Sequence, residues 1–206
     1  MNVLEIDAAA ARGVKTSDFA ELHPQFPGRW SPRALAGGSL TGKQMETLLE
    51  AARWAPSCFN EQPWRIAYAL RGDDRWPVFF DVLVEGNQTW AVNAGALLAF
   101  AARRDFERNG RPNPVHAFDT GSAWMSLALQ ARHMGLVAHG MLGFDREAAR
   151  ERLELPDGYE LCAMVAVGTP GDREDLPEAL RERESPSPRK PLVEIAFRGG
   201  FSALTG

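Results

Sequence analysis

The chain has 206 residues, 45% of them apolar and 24% charged, which is ordinary for one globular domain with a buried core. Its formal charge of −4 argues against a binder of nucleic acid or another polyanion, which carries a basic surplus. No apolar run approaches the roughly 18 residues of a membrane span, Met1–Asp7 lacks the basic and apolar regions of a signal peptide, and two cysteines, Cys58 and Cys162, are too few for a disulfide framework, so the sequence reads as cytoplasmic.

Residues 1–27 read as an N-terminal arm or short helix leading into the domain, ending in His23-Pro24-Gln25-Phe26-Pro27. Thr41 and Gln44 have the spacing of a capping box. Met45, Leu48, Leu49 and Ala52 follow at helical spacing, so a helix is expected over about 42–54, stopped by Pro56. Trp64 to Leu70 reads as a short buried strand. Pro77 suits a first helical turn, with an apolar helix continuing from Val78 to Val84. Ala94 to Ala102 is apolar without alternation and reads as a buried strand, with a helix as the alternative. Asp119 is a candidate N-cap for a long helix ending at Met134, before Gly135. Leu136–Leu142 and Leu161–Val167 are strand candidates, and Asp145 caps a charged helix to about Leu153. Residues 169–191 are rich in proline and charge and read as an extended connection. Mixed helices and strands with short connections give an α+β or α/β sandwich.

The usual phosphate loops, G-x-x-x-x-G-K-S/T and G-x-G-x-x-G, are missing. His133 and His139 are six apart, which is not a helical metal pair, and no metal site is expected. Two segments carry chemistry. In Arg29-Trp30-Ser31-Pro32-Arg33, alternation places Arg29, Ser31 and Arg33 on one side of an extended chain. Arginine forks and a serine hydroxyl suit an anionic ligand, although a solvated basic stretch has the same composition. In Pro56-Ser57-Cys58-Phe59-Asn60-Glu61-Gln62-Pro63, Ser57, Asn60 and Gln62 offer donors and acceptors on a loop between helix and strand. A plain turn is the alternative there. Arg181-Glu182-Arg183-Glu184 reads as a solvated face.

Taken together, Arg-x-Ser-x-Arg at 29–33 and Ala55-Pro56-Ser57-x-x-Asn60-x-Gln62-Pro63-Trp64-Arg65 resemble the opening of the FMN-dependent nitroreductase family. Gly135–Phe144 resembles the family's strand and loop facing the flavin, and Arg189-Lys190-Pro191 its C-terminal basic motif. The resemblance implies an α+β fold with a central mixed, mostly antiparallel sheet flanked by helices, in an intertwined homodimer. It implies an FMN-binding domain over 28–195, followed by a tail at 196–206. FMN would be held by Arg29, Trp30, Ser31 and Arg33, with Arg189 and Lys190 near the phosphate. Pro56, Ser57 and Asn60 would reach the flavin of the other subunit, with Cys58 and Gln62 also at the cofactor. Gly140, Met141, Leu142 and Gly143 would lie over the ring, and Asn87 at its pyrimidine edge.

The activity implied is ping-pong transfer of reducing equivalents from NADH or NADPH to nitroaromatics, quinones or similar small acceptors. No side chain is assigned as catalytic. An enone or semialdehyde reductase, or a non-catalytic flavin carrier, shares the fold. An acyl transferase using Ser57 or Cys58 is the reading from a different chemistry. Two departures from the family are visible. Gly140-Met141-Leu142-Gly143 replaces the Pro-x-Glu-Gly of some members, and no lysine occurs between Lys43 and Lys190.

Overall fold

The computed structural model describes Phe19, residues 21–201 and Leu204, so most of the expected arm and part of the tail lie outside the described residues. Four strands form one sheet: β1 (Trp64–Leu70), β2 (Ala96–Arg103), β3 (Val137–Met141) and β4 (Tyr159–Gly168). Their spatial order is β1-β2-β4-β3, and every pairing among the described residues is antiparallel. The helices are α1 (Gln25–Gly28), α2 (Gly42–Arg53), α3 (Trp76–Phe80), α4 (Glu85–Ala91), α5 (His116–His133), α6 (Arg146–Arg152) and α7 (Glu178–Arg181). The fold is α+β. Among the described residues no helix is long and apolar enough to cross a membrane.

Strand β2 explains the ambiguity of its sequence. Helices cover both faces of the sheet, so both sets of its alternating side chains are buried. Ala96, Leu98 and Phe100 join Met45 and Leu48 of α2 and Leu127 of α5 in one cluster. Leu97, Ala99 and Ala101 join Phe79, Trp90 and Ala149, from α3, α4 and α6, in the other. A strand buried on both faces has no polar face to display, and its period disappears from the sequence.

Local signals fix several ends. Thr41 Oγ1 accepts from the Gln44 N–H, and the Gln44 side chain returns a bond to the Thr41 N–H, completing the capping box. The Asp145 carboxylate accepts from the N–H groups of Glu147 and Ala148 at 3.0 Å each. Gly135 takes φ +71° just after α5, a backbone turn that glycine makes without penalty.

Elsewhere the chain departs from expectation. The helix expected through Val84 stops at Phe80, and a new one starts at Glu85. Between them Val84 is extended and donates to the Gly143 carbonyl at 3.1 Å, while the Val82 carbonyl accepts from Asp145. Pairing with the segment after β3 outweighs continued helix. Helix α5 begins at His116, so Asp119 lies inside its first turn and is not the N-cap. The connection after β4 is not wholly extended; it holds a 3-10 turn at Arg173–Asp175 and the short α7.

Candidate functional site

The segment from Arg29 to Ala36 leaves α1 and lies beside the start of the 169–191 connection. Ala36 donates to the Thr169 carbonyl at 3.0 Å, and Gly171 donates to the Ala34 carbonyl at 2.9 Å. Close approach requires glycine here. A Cβ on Gly171 would stand 2.5 Å from the Leu35 carbonyl carbon. On the other flank, His139 of β3 reaches the Pro32 carbonyl through Nδ1 at 3.0 Å. The His139 ring packs on Trp90 with centroids 4.6 Å apart. Burial holds its pKa below the usual histidine range, and the charges of Arg33 and Arg29 push the same way. The imidazole is therefore neutral, with Nδ1–H as the donor.

This anchored segment forms one wall of a cleft of about 370 Å³, lined by Phe26, Arg29, Ser31, Trp124, Met125, Gly140 and Arg189. The Arg29 guanidinium donates to Ser31 Oγ at 3.3 Å. It is half-buried, and its pKa is lowered by burial and by the charge of Arg189. Two guanidinium groups from distant parts of the chain thus face one cleft and repel each other. An anion between them would relieve both the repulsion and the lost hydration. The opposite wall is apolar, from Trp124 and Met125 on α5. Gly140 sets bare backbone beside the Trp124 ring, where a Cβ would stand in ordinary contact at 3.4 Å. The cleft is a place for a partly apolar molecule bearing an anionic group.

Not every expected residue lines it. Arg33 and Trp30 are half-buried, and neither is in the cleft wall. Lys190 is exposed beside Arg189. Met141 is 3% exposed and packs into the core, whereas Leu142 is 72% exposed. Met141 can therefore offer only its backbone, not an apolar side chain, to a ligand. The Asn87 amide donates to the Gly143 carbonyl at 2.9 Å and holds the loop after β3.

The loop of Pro56, Ser57, Cys58, Asn60 and Gln62 contributes no wall to this cleft. It has an unusual shape, with φ of +54°, +58° and +49° at Phe59, Asn60 and Gln62. Asparagine tolerates that region; phenylalanine and glutamine rarely enter it. Three contacts hold the shape. Ser57 Oγ accepts from the Gln62 N–H at 2.9 Å. The buried Asp119 carboxylate accepts from the Cys58 N–H at 3.0 Å. Arg108 lies over the Phe59 ring, 4.0 Å from its centroid. Strain of this kind collects where a loop is shaped for a purpose. Both thiols are free, and burial pushes the Cys162 thiol up to about 11.

Sequence reasoning missed Trp124 and Met125, which lie in a helix whose spacing marks only apolar packing, and Phe26, which lay in the arm. It also missed Glu184. Far from being a solvated face residue, Glu184 is 8% exposed, and its Oε1 accepts from the N–H groups of Arg33 and Ala34 at 2.7 and 2.8 Å. Nothing local distinguishes it from its charged neighbours.

The profile of the Nitroreductase family matches residues 27–75 and 72–169, which together span most of the chain. The chain belongs to the nitroreductase family. This membership makes it an oxidoreductase. It is similar, at 44% identity and a TM-score of 0.87, to a crystal structure of an oxidoreductase containing FMN, with 91% of this chain and 96% of that one covered. A putative NADH dehydrogenase/NAD(P)H nitroreductase of Archaeoglobus fulgidus is 28% identical over 155 residues, covering 73% of this chain and 86% of the relative. A putative nitroreductase in complex with FMN, from Desulfovibrio desulfuricans, shares the fold at 22% identity and a TM-score of 0.69, with 86% and 95% covered. Within the nitroreductase family match lie Arg29, Ser31, the 56–62 loop and Gly140; Arg189 falls beyond it.

Proposed function

We propose that this nitroreductase binds FMN in the cleft between Arg29, Ser31, Arg189 and Trp124. It takes reducing equivalents from NADH or NADPH and passes them to nitroaromatics, quinones or similar small acceptors. The observation that carries the reading is the pair of mutually repelling guanidinium groups in one cleft with the Trp124 ring and the Gly140 backbone. The names and contents of the similar proteins support the choice of flavin and of nicotinamide donor.

When bound, FMN supplies the redox chemistry, alternately accepting and releasing reducing equivalents in a ping-pong cycle. The protein's own groups bind and orient it. Arg29 and Arg189 neutralise the phosphate, and Ser31 adds a hydroxyl donor or acceptor. Trp124 and Met125 exclude water along one wall. The backbone from Gly140 to Gly143, steadied by Asn87, would hold the ring side, so no side chain need move a proton there. The 56–62 loop serves the flavin of a second copy in a two-fold homodimer. Exposed Trp54, Phe118 and Val193, each at least 75% accessible, are apolar surface for that contact. Two free thiols suit a reducing, cytoplasmic compartment.

The first experiment is an absorption spectrum of the purified protein, with the released cofactor identified by mass. Flavin bands with about one FMN per subunit are expected from a cofactor-carrying fold. Bleaching by NADH or NADPH, and recovery on adding a quinone, completes the test. A colourless protein that stays colourless after FMN is added would overturn the reading.

A further inference from the structure

The two arginines of the cleft, Arg29 and Arg189, come from segments far apart in sequence, so something must set the gap between them. Glu184 joins them. Its Oε1 takes the N–H groups of Arg33 and Ala34, which lie 151 and 150 residues away along the chain. Its Oε2 is buried with no hydrogen-bond partner among the described residues. A buried carboxylate is costly unless its contacts compensate, and two backbone N–H groups do so on one oxygen only. From Glu184 the chain continues as Ser185-Pro186-Ser187-Pro188-Arg189. Each proline fixes its own φ and restricts the residue before it, so this stretch is a stiff strut. Five residues of such chain span about 15 Å. Glu184 is the foot of the strut, and Arg189 is near its tip.

Resting on the FMN reading above, we infer that Glu184 is a positioning residue. It pins the strut against the Arg29–Arg33 segment and thereby sets the distance between the Arg29 and Arg189 guanidinium groups for a phosphate. Glu184 does not touch the ligand in this role. Its effect belongs to the phosphate end and not to the ring.

The test is a fluorescence-quenching titration of flavin-stripped full-length protein with FMN and with riboflavin, which lacks the phosphate. Glu184→Ala is expected to weaken FMN binding at least about tenfold, the effect of misplacing one charge-assisted contact. Riboflavin affinity should stay within about threefold. Glu184→Gln is expected to rescue FMN binding, because an amide oxygen can still accept both N–H groups. If Glu184→Ala does not fold, Glu184→Asp keeps the charge but is one methylene short, and should show the same selective loss of FMN. Wild-type FMN affinity in the Ala or Asp variant would overturn the proposal. So would an equal loss of riboflavin, or a Gln variant as weak as Ala. A wild-type protein that binds neither flavin defeats the FMN reading itself, and the proposal with it, which no variant result can mimic.

Discussion

Replacing Arg29 by alanine removes one of the two guanidinium groups that share the cleft. In the apoprotein Arg29 gains little from its position. It is half-buried, its pKa is lowered by burial and by Arg189, and among the described residues its side chain donates only to Ser31, at 3.3 Å. Its removal therefore relieves repulsion, and the apoprotein should melt within about 2 °C of wild type or higher, as substitutions without a structural role do. FMN binding should move the other way. A charge-assisted hydrogen bond contributes about 1.5–3 kcal/mol, and partial exposure places this one in the lower half of that range. At about 1.4 kcal/mol per decade, FMN affinity should fall about ten- to fortyfold. Riboflavin affinity should hardly change. Flavin fluorescence quenching gives the affinities, and scanning calorimetry gives the melting temperature. A lowered melting temperature with unchanged FMN affinity would refute the reasoning and make Arg29 a structural residue.

Two histidines should respond to pH in opposite directions. His139 is held below its unfolded value of about 6.5 by burial and by Arg33 and Arg29, so the unfolded chain binds its proton first. Its contribution is present above about pH 6.5 and is lost as pH falls toward the depressed folded value. His139→Gln should flatten that acid-side loss in a melting-temperature profile. Burial also pushes His116 down, but hydrogen bonds with Glu160 at 2.9 Å and the Asn113 carbonyl at 2.7 Å outweigh it, and its pKa is raised. Its contribution is full below about pH 6.5 and disappears as pH rises through the folded value, so His116→Gln should cost more at pH 5.5 than at pH 8. Identical pH profiles for the two variants would contradict both assignments. Asp119→Ala strands the Cys58 N–H and should lower stability by about 1–3 kcal/mol, whereas Asp119→Asn keeps an acceptor and should recover most of it. Urea unfolding separates these outcomes, and equal losses in both variants would show that the carboxylate's charge matters instead.

What the sequence made legible were features with local causes. The Thr41–Gln44 box, the Asp145 cap and the Gly135 stop each act within a few residues, and each is where its spacing places it. What it concealed depended on distant neighbours. Strand β2 lost its period because helices cover both faces. The helix expected to Val84 gave way because Gly143 and Asp145 bond to Val84 and Val82. Asp119 looked like a cap, but its carboxylate serves a loop 61 residues earlier. At the cleft, Arg29, Ser31, Gly140 and Arg189 were marked by residue type and motif. Which way Met141 pointed, and that Glu184 was buried, followed only from tertiary packing.

The Glu184 contacts also bear on the order of events during synthesis. Contacts at large sequence separation carry the greater closure entropy and form late. A ribosome has released the Arg29 segment and all four strands before Glu184 and Arg189 emerge. Until then Arg29 faces neither its repelling partner nor the strut that places it. A chain truncated between Gly168 and Glu184 contains all four strands and still lacks the anion cradle. A ligand that binds only the finished cradle stabilises only the finished chain. Flavin retention would then discriminate complete molecules from nascent or clipped ones that share the same core.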